Sequence, residues 1–356
     1  MKILRSLTVI AGCLTWAASA TAQISLTPPG AQTPPPAASK AAPKKAPAPA
    51  KAPTAAKKAP TPPPEKSAQP AEAAPTDPNA DLVYGAYQRG QYKTAFDLAS
   101  KRAQENNDPK AMTMLGELYA NALGVKRDYA KAAEWYQRAS ERGDREAMFA
   151  LAMLRLSDRG NVGKRDEAVK LLASSAKLGN PKAAYNLALL YLDGQTLPQD
   201  VKRSAELLRV AADAGNPEAQ YALATFYKEG TGVEKSIDKA VRLLQAASLA
   251  DNVDAEVEYA IALYNGTGTP KNEAAAIALL RKASKQNSPI AQNRLARVLA
   301  LRTNTDDRLE GLKWHIVAKT AGKGDLMLDE LLAQATPEEK TKAQEAAKKW
   351  LGTTQK

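Results

Sequence analysis

The stretch Asn-Pro-Glu-Ala-Gln-Tyr-Ala-Leu-Ala-Thr-Phe-Tyr-Lys-Glu-Gly-Thr-Gly at residues 216–232 decides the fold. It combines a helix start, an apolar face with helical spacing and a glycine stop. The same pattern returns along the chain every 36 residues. The small residue Ala219 has counterparts at Ala111, Ala147, Ala183, Ala255 and Ala291. Self-similarity at this period indicates a solenoid of helical repeats.

Short polar residues recur where each of the two helices of a repeat would begin. Such side chains accept hydrogen bonds from the free N–H groups of a helical first turn. The column before the first helix reads Asp108, Asp144, Asn180, Asn216, Asn252 and Ser288. The column before the second helix reads Asp128, Asp200, Ser236 and Asn272, with Asp166 as the candidate in the repeat that lacks it. These two columns predict that every repeat is a helix pair.

A column of small residues marks where the two helices of a pair would cross. Helices approach closely only where side chains are small, and a larger residue there would overpack the crossing. The column reads Gly116, Ala152, Ala188, Ala224, Ala260 and Ala296. The second helices carry apolar pairs that should point inward, such as Leu207 with Leu208. Glycine ends the second helix at Gly143, Gly179 and Gly215.

Both ends of the array depart from the repeat, as solenoid ends do. Residues 81–107 predict a shorter helix pair with its turn at Gly90. The repeat that begins at Ser288 is irregular, because residues 303–307 replace its glycine turn. Thr336-Pro337-Glu338-Glu339 forms a capping box that opens a last helix. That helix should place Ala343, Ala346, Ala347 and Trp350 against the preceding pair.

The first residues predict export. Lys2 and Arg5 precede a short apolar run at residues 6–18, and Ala20-Thr21-Ala22 is a cleavage site that would leave Gln23 as the first residue. The predicted destination is therefore the periplasm or the exterior. A second interpretation is lipoprotein anchoring at Cys13, the only cysteine, through Ile10-Ala11-Gly12-Cys13. Cleavage before Gln23 would remove that cysteine, and with it disulfide and thiol chemistry.

Residues 23–80 are rich in proline, alanine and lysine and predict a disordered, extended linker. Two interpretations of it stay open: a plain tether, or a basic segment in weak contact with the cell wall or an anionic membrane surface. The net charge of +12 is shared between this N-terminal region and the repeats, where acids and bases interleave. Such a surface does not favour nucleic acid as a partner.

Together these features predict an all-α, right-handed superhelical solenoid of antiparallel helix pairs. The predicted organisation is a signal peptide at 1–22, the linker at 23–80 and a first helix pair at 81–107. Six repeats of 36 residues at 108–324 and C-terminal capping helices at 325–356 follow.

Three segments carry a resemblance to a known family. They are Ala184 to Tyr191, the turn Gly230-Thr231-Gly232-Val233, and the helix Ala132 to Ala139 with Trp135 and Tyr136. They resemble the Sel-one-like repeat, a relative of the tetratricopeptide repeat. The resemblance implies a protein-interaction scaffold, and exported bacterial members often regulate envelope signalling. Disulfide-stapled members have been linked to β-lactam binding, which does not transfer here because the paired cysteines are missing.

By analogy with tetratricopeptide geometry, two columns of the first helices should face a partner in the concave groove. Their middle members combine aromatic, apolar and polar side chains, a composition typical of binding hot spots. The candidates are Phe149, Met153, Tyr185, Leu189, Tyr221, Thr225, Val257, Ile261, Asn293 and Arg297. The alternative is that the tyrosines pack between neighbouring first helices.

The sequence predicts no catalytic, cofactor-binding or metal site. His315, the only histidine, should be a packing or surface residue beside Trp314, and one histidine without cysteine does not found a zinc site. Glu256 and Glu258 are interpreted as a solvated helix face. We therefore expect a non-catalytic scaffold for an envelope protein. The alternatives are a wall-binding structural protein that uses its basic linker, and a hydrolase of wall or β-lactam substrates.

Overall fold

The computed structural model describes residues 81–157 and 165–354, which form sixteen α-helices and contain no strand. The predicted signal peptide, Cys13 and the linker at 23–80 lie outside these residues. The helices follow one another as pairs. They are α1 Leu82–Gln88, α2 Tyr92–Asn106, α3 Pro109–Asn121, α4 Tyr129–Glu141, α5 Arg145–Leu156, α6 Arg165–Lys177, α7 Pro181–Asp193, α8 Val201–Asp213, α9 Pro217–Glu229, α10 Ile237–Leu249, α11 Val253–Asn265, α12 Glu273–Lys285, α13 Pro289–Leu299, α14 Thr305–Thr320, α15 Leu326–Gln334 and α16 Pro337–Thr354.

The predicted caps are confirmed at the start of each first helix. Asn216, for example, has an extended backbone, and its Oδ1 accepts a hydrogen bond from the Ala219 amide at 2.7 Å. All six members of this column cap their helices in this way. The second column is confirmed at its four predicted positions. Asp166 instead lies within the first turn of α6, so it is not the cap of that helix.

Small residues lie at the centre of the core, as predicted. Each member of the column from Gly116 to Ala296 is buried. A Cβ atom added to Gly116 would lie 2.5 Å from the ring of Tyr136 on α4. Tyr136 is the large member of its own column, since the later repeats carry leucine at this position, as in Leu172 and Leu208. The first repeat therefore combines the smallest member of one column with the largest member of the other.

The C-terminal end closes on α14. Ala343 and Ala347 on α16 are buried, and the rings of Trp314 and Trp350 meet edge to face at 5.1 Å. Thr336 and Glu339 exchange the two hydrogen bonds of a capping box, which confirms that prediction. The prediction for Ala346 is wrong: this residue is exposed. The helix turns its Ala343–Ala347 stripe inward, and Ala346 falls just outside that stripe.

The fit between Gly116 and Tyr136 gives a test of the core. Gly116→Ala should lower the free energy of unfolding by about 1–3 kcal/mol, because the new methyl group collides with the ring. The loss would occur although alanine is the better helix former. Adding Tyr136→Leu, which restores the pairing of the other repeats, should recover most of it. Urea unfolding monitored by circular dichroism measures both.

Gly85→Ala on α1 is the control for this test. Its added Cβ would meet only the flexible guanidinium of Arg89, at 3.2 Å. We expect little change or a slight gain in stability. Equal losses from the Gly85 and Gly116 variants would contradict the packing explanation.

Candidate protein-interaction surface

The first-helix face is the surface that α7, α9 and α11 present through the predicted groove columns. Its central residue is Tyr221 on α9, which is half-buried and packs against the main hydrophobic core. The Tyr221 hydroxyl donates a hydrogen bond to Glu258 Oε1 on α11, at 3.2 Å. The second oxygen of Glu258 lies 2.7 Å from Lys228 Nζ. Tyr221 therefore bridges two neighbouring first helices, as the alternative interpretation of the tyrosines predicted.

Burial and acidic neighbours set the electrostatics of this face. Burial, with Glu258 and Asp254 nearby, raises the pKa of the Tyr221 phenol. Burial also raises the pKa of the Tyr185 phenol, and the charge of Glu218 on α9 adds to this effect. The pKa of the Asp254 carboxyl is raised by burial and by Glu258. Both tyrosines thus remain neutral at physiological pH and lie in a negative environment.

Two other residues five positions after a cap also contact the next repeat, as Tyr221 does. Thr113, one such residue, donates from its hydroxyl to Asp144 Oδ1 at 3.1 Å. Asn293 donates to Asp325 Oδ2 at 3.2 Å. This column therefore joins successive repeats as well as lining their surface.

The candidate residues differ in how much surface they offer. Phe149, Met153, Thr225 and Ile261, like the two tyrosines, are half-buried. Leu189 and Val257 are only 7% and 4% exposed, so they serve the core and offer almost no surface to a partner. The surface that remains accessible on the first-helix face therefore centres on Tyr185, Tyr221, Thr225 and Ile261.

Asn293 and Arg297 have a structural partner inside the chain. Both contact Asp325, the buried residue that caps α15, and Arg297 Nε lies 2.5 Å from Asp325 Oδ2. Burial alone would raise the pKa of Asp325, but its hydrogen bonds to Arg297 and Asn293 lower the pKa below the usual value. These two candidates hold the capping helix in place, so we leave them out of the proposed surface.

His315 is a packing residue, one of the two roles predicted for it. Its side chain is fully buried in α14, and Nε2 lies 2.8 Å from Asp329 Oδ1 on α15. Lys319 Nζ contacts the same carboxylate oxygen at 2.7 Å. The contacts of Asp329, with those of Asp325, fix α15 against the last repeat, although Leu328 is the only buried apolar residue of that helix.

The prediction of a solvated face is wrong for Glu256. Its side chain is fully buried in α11, and Oε1 lies 2.6 Å from Lys282 Nζ on α12. Register could have shown this, because four positions after the cap the other repeats carry residues such as Met112, Ala184 and Gln292. Those three residues are buried as well. Gln292 and Gln220, also at this position, each donate to a backbone carbonyl eight residues earlier.

Within the described residues, no group of three or more histidine, cysteine, aspartate or glutamate side chains is placed to hold a metal ion. None of the described helices is both long enough and apolar enough to cross a membrane.

Comparison with known proteins agrees with the repeat register. The Sel1 repeat family model matches residues 109–144, 145–180, 181–216, 217–252 and 253–288. These five segments run from α3 to the residue before α13. The sixth predicted repeat lies beyond the matched segments and forms the pair α13 and α14. None of the curated proteins matches this chain.

The fold is shared with solved structures, of which two are described here. One is a protective antigen of uropathogenic Escherichia coli strains with an SLR fold, 21% identical over 76% of this chain and 61% of its own length, with a TM-score of 0.64. This chain thus spans about three fifths of the antigen. The other is a Sel1 repeat protein from Oxalobacter formigenes, 23% identical over 67% of this chain and 98% of its own, with a TM-score of 0.60.

The buried pair of Glu256 and Lys282 gives a second test. Lys282→Ala should lower the unfolding free energy by about 1–2 kcal/mol, because a buried carboxylate loses its cation. Glu256→Gln should change it by less than about 0.5 kcal/mol, since the amide can donate to the Ser248 carbonyl as its counterparts do.

The double variant separates these effects. Glu256→Gln with Lys282→Ala should be nearly as stable as Glu256→Gln alone in urea unfolding. Additive losses in the double variant would show that Lys282 stabilises the fold by some other contact.

Proposed function

Because this chain belongs to the Sel1 repeat family, we propose that it is a non-catalytic scaffold whose first-helix face binds a partner protein. Sel1 repeat scaffolds are typical of protein–protein interaction. The observation that supports this face is its combination of half-buried aromatic and apolar side chains with a polar rim, at Tyr185, Tyr221, Thr225 and Ile261. Aromatic residues in such settings carry much of the binding energy of interfaces. Grooves of helical repeats receive extended or helical segments of other proteins.

The internal contacts of the repeat support the choice of this face. The cap residues start the helices. The column of small residues and the leucines of the second helices pack the core. Contacts within the chain also engage Glu256, His315, Asn293 and Arg297. The half-buried first-helix residues combine a fixed position with accessible surface, which is the combination that recognition requires.

We further propose that the protein acts outside the cytoplasm, as an envelope protein and a regulator of envelope signalling. The support is the N-terminal sequence, in which Lys2 and Arg5 precede a short apolar run and Ala20-Thr21-Ala22. Whether the mature chain is periplasmic or secreted, its partner would be met in an oxidising compartment.

Partner binding can be tested with a photo-reactive amino acid in place of Thr225, followed by identification of the cross-linked protein. Tyr185→Ala with Tyr221→Ala should then weaken binding of that protein by tenfold or more, because interface aromatics each contribute roughly 1–2 kcal/mol or more. Isothermal titration with the purified partner measures the change.

Two controls belong to this experiment. A photo-reactive group at the exposed Arg242 on α10 should capture less of the partner. Val210→Ala with Leu249→Ala, which removes exposed apolar groups from α8 and α10, should leave its affinity unchanged. Full affinity in a Tyr185/Tyr221 variant that still melts cooperatively would overturn the assignment of the surface.

Export of the protein can be tested separately. Expression of the full chain in a Gram-negative host, followed by fractionation and intact mass analysis, should yield a periplasmic or secreted protein that begins at Gln23. A lipid-modified chain beginning at Cys13 would support the anchored alternative, and an unprocessed cytoplasmic chain would contradict export.

A further inference from the structure

We propose that Arg294 on α13, at the C-terminal end of the first-helix face, binds the side-chain carboxylate of an aspartate or glutamate in the partner protein. This inference rests on the proposed function and names the chemistry of one position in the partner. Its basis is a guanidinium for which the described part of the chain supplies no counter-ion.

Arg294 is half-buried, and its Nε atom is buried without a hydrogen-bond partner. No ion pair or hydrogen bond engages its guanidinium within residues 81–157 and 165–354, and Nη1 and Nη2 remain accessible. Buried polar groups of folded proteins nearly always have a partner, so this one requires an explanation. Burial and the charge of Arg297 lower the pKa of Arg294, although Asp325 opposes them. That direction is expected of a guanidinium without a counter-ion.

The register of the repeats explains the missing counter-ion. One repeat earlier, the equivalent residue is Glu258, which accepts from the Tyr221 hydroxyl at 3.2 Å and lies 2.7 Å from Lys228 Nζ. The residues 36 positions after those two partners are Val257 and Tyr264, and neither carries a charge. The charged residue of α11 therefore finds its partners on the preceding first helix, whereas the charged residue of α13 does not.

The carboxylate of the following repeat is already engaged by other groups. Asp325 Oδ2 accepts from Asn293 at 3.2 Å and from Arg297 at 2.5 Å, and Oδ1 accepts from the Leu328 amide at 3.4 Å. Arg294 and Arg297 lie three positions apart on α13, a spacing that places them on one helix face. Two guanidinium groups thus share this junction with one carboxylate, and Arg297 takes it.

A carboxylate is the anion that suits the remaining guanidinium. The arginine fork presents parallel N–H donors to two oxygen atoms, and such charge-assisted pairs are stronger than neutral hydrogen bonds. Burial of the stem restricts Arg294 before the partner arrives, so less side-chain entropy is lost on binding. The half-buried Ile261 lies on α11, between α9 and α13 in the order of the repeats. A segment that covers Tyr221 and Ile261 and continues by one first helix reaches Arg294.

A residue kept for binding should add nothing to stability. Arg294→Met retains an apolar stem and removes the unpaired charge, so the midpoint of urea unfolding should stay the same or rise. Arg297→Met is the matched contrast, and it should lower the midpoint because the buried Asp325 loses its cation. A fall with Arg294→Met as large as that with Arg297→Met would show a structural role and overturn the inference.

Binding can be measured with peptide libraries on the immobilised full chain. The peptides are acetylated and amidated, with uncharged residues randomised around a central glutamate. Matched libraries have glutamine at the centre, with either an amidated or a free C-terminus. Mass spectrometry should show the glutamate peptides retained roughly tenfold more than the amidated glutamine peptides, and high salt should reduce this preference. Stronger retention of the free C-terminus would assign the site to a chain end and overturn the side-chain carboxylate.

Variants locate the site. Arg294→Met should abolish the preference for glutamate, whereas Arg294→Lys should keep part of it, because an ammonium group retains the charge without the fork. Arg242→Met on α10 is the matched control, since it removes the same charge from an exposed second-helix position and should keep the full preference. An unchanged preference in Arg294→Met, or an equal loss in the Arg242 control, would overturn the inference.

The partner protein captured by cross-linking separates this inference from the proposed function. If the Tyr185/Tyr221 variant loses that partner and Arg294→Met binds it fully, the scaffold function stands and this inference fails. If both variants weaken the complex, both proposals are supported. If only Arg294→Met weakens it, the carboxylate site stands and the tyrosine-centred surface is wrong. If neither variant affects the complex, both proposals fail.

Discussion

The fold depends on a hydrogen bond between the side chain of each cap residue and a backbone N–H group in the first turn of a helix. At Asp144 and Asp325 the same carboxylate also receives a side chain from the preceding repeat. One short polar residue thus starts a helix and joins two repeats. Because these two caps accept from two directions, the angle at which each of their helix pairs follows the one before it is restrained by polar contacts as well as by packing.

Most of the fold could be predicted from sequence because its determinants are local. A cap such as Asn216, a proline after it and a glycine at the end act within one helix, and repetition makes each signal visible several times. Ala346, Glu256 and the pair Asn293 and Arg297 were harder to predict. Their surroundings depend on which face a helix turns inward and on the next repeat. The interval from Ser288 to Asp325 is 37 residues rather than 36, so strict periodicity places the last cap one residue too early.

The candidate surface was only partly predictable for a related reason. The columns locate residues on a helix face but do not separate those that pack from those that remain accessible, as the buried Leu189 and Val257 show beside the half-buried Thr225 and Ile261. The acidic residues of the first-helix face could not be recognised from the net charge of the chain either. Glu218 and Asp254 lie in different repeats, and each adds to the effect of burial in raising the pKa of a tyrosine, Tyr185 and Tyr221 respectively.

The bonds from Thr113 to the cap Asp144 and from Asn293 to the cap Asp325 also give the stack a direction. At both junctions the cap residue of one repeat accepts a side chain from the helix pair before it. The last of these caps is Asp325, whose carboxylate contacts the side chains of Asn293 and Arg297. A gene duplication that copies the chain from one cap to the next therefore inserts a unit that brings its own cap residue. A truncation that removes Asp325 leaves the final repeat incomplete, so this array can lengthen internally more readily than it can shorten from its C-terminal end.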